Sequence, residues 1–374
     1  MTETLTKNSR RKAAGERPAG SRGRYGYASG RIRALEMQLL DTGHINRLLD
    51  ARSPDESIRI LTECGYPAAA DPETVLKRER LASYALMQTL MPDTGYMDTL
   101  MLFHDIQNLK VILKNLVPGL PQESPANHED TGELPDFGSG MADLAPSRLE
   151  SFMQQPSLVR PAVLIRAIGD RQPDAIPAWI YQLAVKALRR YQSSYDISDL
   201  DLLLDQNAYG EAHKRAAQLG NSFFSQYLQM RTDMINLDLL LRTRFLRSGE
   251  YYLEKALLPG GLFGPDLVLA LYRDNPESIA AFYARTPYQA LAEQGESYGQ
   301  RGSAARFSLQ ADNLIMDHIG KARRITSGPE VPLAYLIARE MEIKNIRIIL
   351  TFQRNGLPMA EARDLIRKSY LTWR

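Results

Sequence analysis

Asp105-Ile-Gln-Asn108-Leu109-Lys110 decides how this chain is read, because its pattern returns twice. It recurs as Asp233-Met-Ile-Asn236-Leu237-Asp238 and as Glu342-Ile-Lys-Asn345-Ile346-Arg347. Each copy runs on into an aliphatic stretch: Val111-Ile-Leu113, Leu239-Leu-Leu241 and Ile348-Ile-Leu350. An acid, an Asn three residues later and then a hydrophobe is too particular a string to arise three times from composition. The copies stand 128 and then 109 residues apart, close to the length of a small domain. Repeats at such intervals settle architecture before any other motif. They argue for three related helical units built around a centre, a scaffold rather than a pocket enzyme.

The internal spacing says what each copy does. Ile106, Leu109 and Leu113 are separated by three and four residues, as are Met234, Leu237 and Leu241, and Ile343, Ile346 and Leu350. That rhythm puts each set on one helix stripe that must be buried against a neighbour. The acid and the Asn also share a face, being three apart. A partly buried Asn needs its amide satisfied. Asn108, Asn236 and Asn345 are therefore expected to bond the backbone of a neighbouring helix and fix how it crosses. Asp105, Asp233, Glu342 and Arg347 complete this structural signature, whose role is packing rather than chemistry.

Three-four spacing continues outward in both directions, and no alternation bounded by turns suggests a sheet. Ile32, Leu35, Leu39 and Leu40 predict an amphipathic helix soon after Tyr25. Ser53-Pro54-Asp55-Glu56 reads as a helix start, with a capping Ser, Pro at the first position and acids in the first turn. A long helical run leads from Pro72 towards Met91, and the first signature helix from about Tyr96 to Leu116. Residues 118–147 mix five prolines with Gly, Ser and acids and keep no periodicity. Ile176–Tyr195 predicts another long helix. Asp199–Leu246 predicts two, broken near Leu219-Gly220-Asn221. The expected organisation is a basic leader (1–24), helical unit one (25–117), a Pro-rich acidic insert (118–147), unit two (148–247) and unit three (248–374). The fold class is all-α.

Composition bounds the function classes. The 374 residues are 44% hydrophobic and 24% charged, the balance of an ordinary globular protein. No apolar run reaches the 18 or more residues that span a bilayer. Cys64 is the sole cysteine, which excludes an intrachain disulfide and a cysteine-based zinc site. Its expected place is a small core position near a helix end. No secretory signal opens the chain, so a reducing, cytoplasmic setting is expected. The net charge of +2 is uneven: residues 1–24 sum to +5 and the remainder to −3. A basic tail on a near-neutral body reads as a solvated leader, not a nucleic-acid surface.

Several catalytic look-alikes fail on context. Gly295-Glu-Ser297-Tyr-Gly299, followed by His318, matches the nucleophile-elbow string of serine hydrolases. That elbow needs a strand before the Ser and a helix directly after it, and neither is predicted. Asp136-Phe137-Gly138 matches a kinase metal-binding triplet without the catalytic or phosphate loops that accompany it. No Gly-x4-Gly-Lys-Ser/Thr loop is present. His44, His104, His128, His213 and His318 never fall at metal-ligand spacing. His104 reads as a helix-surface group. No cofactor or metal is expected.

Taken together, Tyr27-Ala-Ser-Gly-Arg31-Ile-Arg33-Ala-Leu-Glu36, the His104–Lys110 stretch, Leu333-Ala-Tyr335-Leu-Ile-Ala-Arg-Glu340 and the Glu342–Arg347 stretch resemble the C subunit of the vacuolar/archaeal-type (V-type) rotary ATPase, known in eukaryotes as the d subunit. The resemblance covers nearly the whole chain from Tyr25. It implies a funnel of three similar all-helical domains in pseudo-threefold arrangement. It also implies a place on the cytoplasmic face of the membrane rotor ring of proteolipid subunits, receiving the central shaft formed by the D and F subunits. The implied role is non-catalytic: passing torque between ATP hydrolysis or synthesis and proton or sodium transport, with membrane association only through the ring. The leader and the 118–147 insert look longer than that pattern needs. Rival readings are a helical-repeat adaptor unrelated to a rotary motor, a hydrolase using Ser297, and a nucleic-acid binder using the leader.

Overall fold

The computed structural model describes residues 21–119, 134 and 146–371. Most of the leader and the insert lie outside the described residues, and so do Asp136-Phe137-Gly138 and His128. Among the described residues every regular element is helical. The first half of the chain forms α1 (Ser21–Arg24), α2 (Gly26–Glu36), α3 (Thr42–Asp50), α4 (Pro54–Glu63), α5 (Pro72–Leu90), α6 (Gly95–Leu116), α7 (Pro146–Ser151), α8 (Pro161–Gly169) and α9 (Ala178–Ser194). The second half forms α10 (Ile197–Leu219), α11 (Ser222–Leu246), α12 (Glu250–Ala256), α13 (Pro265–Ala270), α14 (Pro276–Tyr283), α15 (Gln289–Ala292), α16 (Ser303–Gly320), α17 (Glu330–Arg354) and α18 (Met359–Arg363).

Local chemistry sets the helix ends. The Ser53 hydroxyl accepts the Glu56 N–H at 3.2 Å and Pro54 opens α4, as its sequence predicts. Asp71 caps α5 in the same way, accepting from Thr74 at 2.9 Å. The long run from Asp199 does break at Gly220, which takes the left-handed backbone conformation (φ 63°). Asn221 then caps α11 by accepting the Phe224 N–H at 2.9 Å. Its amide also donates to Glu330 at 2.9 Å, tying the start of α11 to the start of α17.

The three stripes are buried as their spacing demands. Ile106, Leu109, Leu113, Met234, Leu237, Leu241, Ile343, Ile346 and Leu350 all lie in the core. α6 packs along α10, which also packs against α9 and α11. α17 packs against α5, α2 and α16. Most buried side chains form one continuous core drawn from Tyr25 to Tyr370. A second core unites α3, α4 and the start of α5 with Ile343, Ile346, Ile349 and Leu350 of α17. The N-terminal helices are thus closed against the last long helix. Cys64 caps the C-terminus of α4 beside this second core, half-buried, and burial pushes its thiol above the usual range.

Candidate functional site

The three signature helices α6, α11 and α17 each grip one connecting segment through the same pair of side chains. Asn108 donates to the Gln154 carbonyl at 3.0 Å and accepts the Gln154 N–H at 2.6 Å. Asn236 makes the same pair with Leu258, at 2.9 and 2.8 Å. Asn345 makes it with Arg367, at 3.1 and 2.9 Å. A primary amide presents a donor and an acceptor side by side, so it pairs with one residue's N–H and C=O like a strand neighbour. The partners are not helix backbone, as the spacing alone suggested: Gln154, Leu258 and Arg367 lie in non-helical connections. The reason is satisfaction. A helix interior has already used its N–H and C=O groups, whereas an extended segment still has both to offer.

The acid one turn earlier holds the same segments further along. Asp105 Oδ1 accepts the Val159 N–H at 3.2 Å, and the neighbouring Leu158 N–H favours the charged carboxylate. Asp233 Oδ1 accepts the Phe263 N–H at 3.1 Å, with the Leu262 N–H beside it. In both copies the donor stands five residues after the residue the Asn clasps, and a Pro two residues later opens a helix, α8 or α13. A Leu also stands four residues after the clasped residue in all three copies: Leu158, Leu262 and Leu371. Glu342 differs. Its carboxylate accepts the Leu40 N–H from the far end of the chain and the Tyr66 hydroxyl at 3.1 Å.

Each clasp has its own outer contacts. Around Asp105, the His104 ring is wedged between the Pro156 carbonyl (Nδ1, 2.6 Å) and Arg80 (Nε2, 2.8 Å). His104 is therefore a half-buried bracket of the connection, not the surface group its flank suggested. Burial and Arg80 push it down to about 4, so it is neutral near pH 7. Around Asp233, the second oxygen accepts the Tyr288 hydroxyl at 2.9 Å, and a Cβ on Gly261 would stand 2.3 Å from Oδ1. Around Glu342, Arg339 donates at 2.7 Å, pairs with Glu79 at 3.3 Å and lies over the Tyr66 ring. Burial raises Glu342 to about 7 against the pull of Arg339. The residue two after each Asn is used differently: Lys110 pairs with Asp205 on α10 at 2.6 Å, Asp238 accepts from Tyr298 at 2.6 Å, and Arg347 meets Glu73 at 3.3 Å on the surface.

Ser297 and His318 do not stand in a nucleophile elbow. Ser297 donates to the Gln294 carbonyl at the end of a short 3-10 helix, and no strand precedes it. His318 is buried, stacked on Phe223 and bonded through Nε2 to the Phe223 carbonyl. Among the described residues no cluster of His, Cys, Asp and Glu could hold a metal ion. No helix there is long and apolar enough to cross a membrane.

Comparison with known proteins finds one family and several relatives that this chain is similar to. A family model described as ATP synthase (C/AC39) subunit matches residues 28–365. The C subunit of the A-type ATP synthase of Methanocaldococcus jannaschii is 21% identical over 91% of this chain and 86% of its own length. The C subunit of the V-type sodium ATPase of Enterococcus hirae is 19% identical over 91% of this chain and 97% of its own. The C subunit of the V-type ATP synthase of Deinococcus radiodurans is 25% identical over 63% of this chain and 64% of its own. All three signature pairs of acid and Asn fall inside the matched span, and the chain belongs to the ATP synthase (C/AC39) subunit family.

Proposed function

We propose that this protein is a non-catalytic central-stalk subunit that joins the D and F shaft to the membrane rotor ring. It passes torque between ATP hydrolysis or synthesis and proton or sodium transport. The observation that carries the reading is the family match across residues 28–365, joined to a helical body whose connections are clasped from within. A torque coupler needs stiffness. Double amide pairs with the backbone of each connection supply it, because each clasped residue loses two hydrogen bonds at once if it slips. The three units, 25–117, 148–247 and 248–374, fit a socket around a shaft. The signature residues Asp105, Asn108, Asp233, Asn236, Glu342 and Asn345 keep that socket in shape rather than touch substrate, and Arg347 stands at its surface beside Glu73. Attachment to the membrane runs through the ring, from the cytoplasmic side.

The test is reconstitution. Ring-bearing membranes, the D and F shaft, and the catalytic head are assembled with and without this chain. ATP-driven ion transport should require the chain, while ATP hydrolysis by the head and shaft alone should not. Charged faces meeting polar ring loops should make assembly weaker at high salt. Transport that proceeds equally well without the chain would overturn the reading and favour an adaptor unrelated to the motor.

A further inference from the structure

The Asp105 clasp is incomplete. Asp105 is fully buried, yet its Oδ2 has no hydrogen-bond partner. At the same place in the second copy, Asp233 Oδ2 takes the Tyr288 hydroxyl. In the third, Glu342 Oε2 takes the Tyr66 hydroxyl and the Arg339 guanidinium. An ionised carboxylate with one bare oxygen is costly in a dry interior, whereas a protonated one is neutral.

We propose that the Asp105 clasp is a proton-operated latch: it holds the 154–159 connection tightly with the carboxyl protonated and loosens that connection when the carboxyl ionises. The surroundings single out this group. The clasped stretch Gln154-Gln-Pro-Ser-Leu-Val159 carries no ionisable side chain. On α6, His104 is neutral near pH 7 and Lys110 is paired with Asp205 of α10. From α10, Arg215 faces the site at longer range, held by Glu211 and lying over Trp179. From α5, Arg80 is engaged by Glu340, His104 and Gln154. Arg166, the one charged side chain on α8, is exposed and bonded to the Ala162 carbonyl. Burial outweighs the two backbone N–H groups and Arg215, and lifts Asp105 to about 7.

The sign follows from linkage. With the connection closed the carboxyl holds its proton to about pH 7; once opened to water it ionises near the ordinary carboxylate value. Between those limits the closed form binds the extra proton. Raising the pH therefore favours opening, on the order of tenfold per pH unit, and the effect ends above about 7.

Hydrogen exchange on the full chain tests this, read from peptides covering 154–159 and 258–263 between pH 5 and 8 after correction for intrinsic exchange. Protection at 154–159 should fall by roughly tenfold per unit from 5 to 7 and then level. Protection at 258–263, whose acid has both oxygens bonded, should fall less. Asp105→Asn keeps the acceptor and removes the proton, so protection at 154–159 should become independent of pH. An equal fall in both segments of the unaltered chain, or a fall that survives in Asp105→Asn, would overturn the latch. The two-segment comparison needs no variant, so the test stands even if Asp105→Asn folds poorly.

Discussion

Asp105 and Asp233 hold the same place in two copies of one hydrogen-bond scheme, and they differ in a single hydroxyl. Both accept from the N–H five residues beyond the residue clasped by their Asn, and the N–H before it also favours the charged carboxylate. Tyr288 completes Asp233, while Asp105 keeps a bare buried oxygen. Repetition of a motif therefore repeats the clasp but not its strength. The framework comes from backbone groups that any sequence supplies. The finish comes from side chains brought in by unrelated elements: Tyr288 beside α15, and Tyr66 after α4. Where no such side chain arrives, one carboxyl oxygen stays bare in the interior, and burial raises the group against backbone N–H groups and the distant Arg215 alone.

The third clasp departs furthest. Its carboxylate meets Leu40 and Tyr66 from the N-terminal segments and a buried Arg339. Glu342→Ala should cost the most, about 3–5 kcal/mol in urea unfolding, because it strips a buried guanidinium of its nearest partner. Asn236→Ala breaks two bonds to a buried connection and leaves both Leu258 groups unpaired. A loss of about 2–3 kcal/mol is expected, with faster exchange at 258–263. Gly261→Ala forces a Cβ towards Asp233 Oδ1 and should cost about 1–3 kcal/mol. The matching position in the first copy, Ser157, already carries a side chain, so Ser157→Ala should cost clearly less.

Tyr288→Phe sharpens the comparison most directly. It leaves Asp233 in the condition of Asp105, at a cost of about 1–2 kcal/mol. Asp233 already sits above its usual range through burial, opposed by Phe263, Tyr288 and Leu262. Losing the hydroxyl should move it higher. Stability would then fall as pH rises through that higher value, and the 258–263 segment should acquire the pH-dependent exchange expected of 154–159. The smallest effect belongs to Arg347→Ala. Arg347 and Glu73 are both about half exposed, so thermal unfolding should show a change under about 0.5 kcal/mol. A larger loss would mean that this pair supports the third clasp, contrary to its surface position.

Much of this was legible in the chain because it is local. Helical periodicity, the Ser53-Pro54 start and the Gly220 break depend on residues within a turn or two of one another. The recurrence of acid and Asn on one face also needed no coordinates. What each Asn would hold was not legible. Its partner lies 46 residues away in the first copy and 22 in the others, with the Pro-rich insert falling inside the longer gap. The connecting segments did carry a faint signal, a Leu in register three times and a Pro opening α8 and α13, but it can be aligned only once the clasped residue is known. The bracketing of His104 was hidden for the same reason: it comes from Arg80 on α5 and Pro156 of the distant connection.

Residue order alone dictated an all-helical chain, and where an acid, an amide and an apolar stripe would line up along three of its helices. Those are matters of spacing against a fixed 3.6-residue turn. Only the assembled fold selected an extended connection, instead of a helix, as the partner of each amide, and left one carboxyl of three without a second partner. Both outcomes turn on which distant groups still have a hydrogen bond to give after the core has closed, and no local spacing records that.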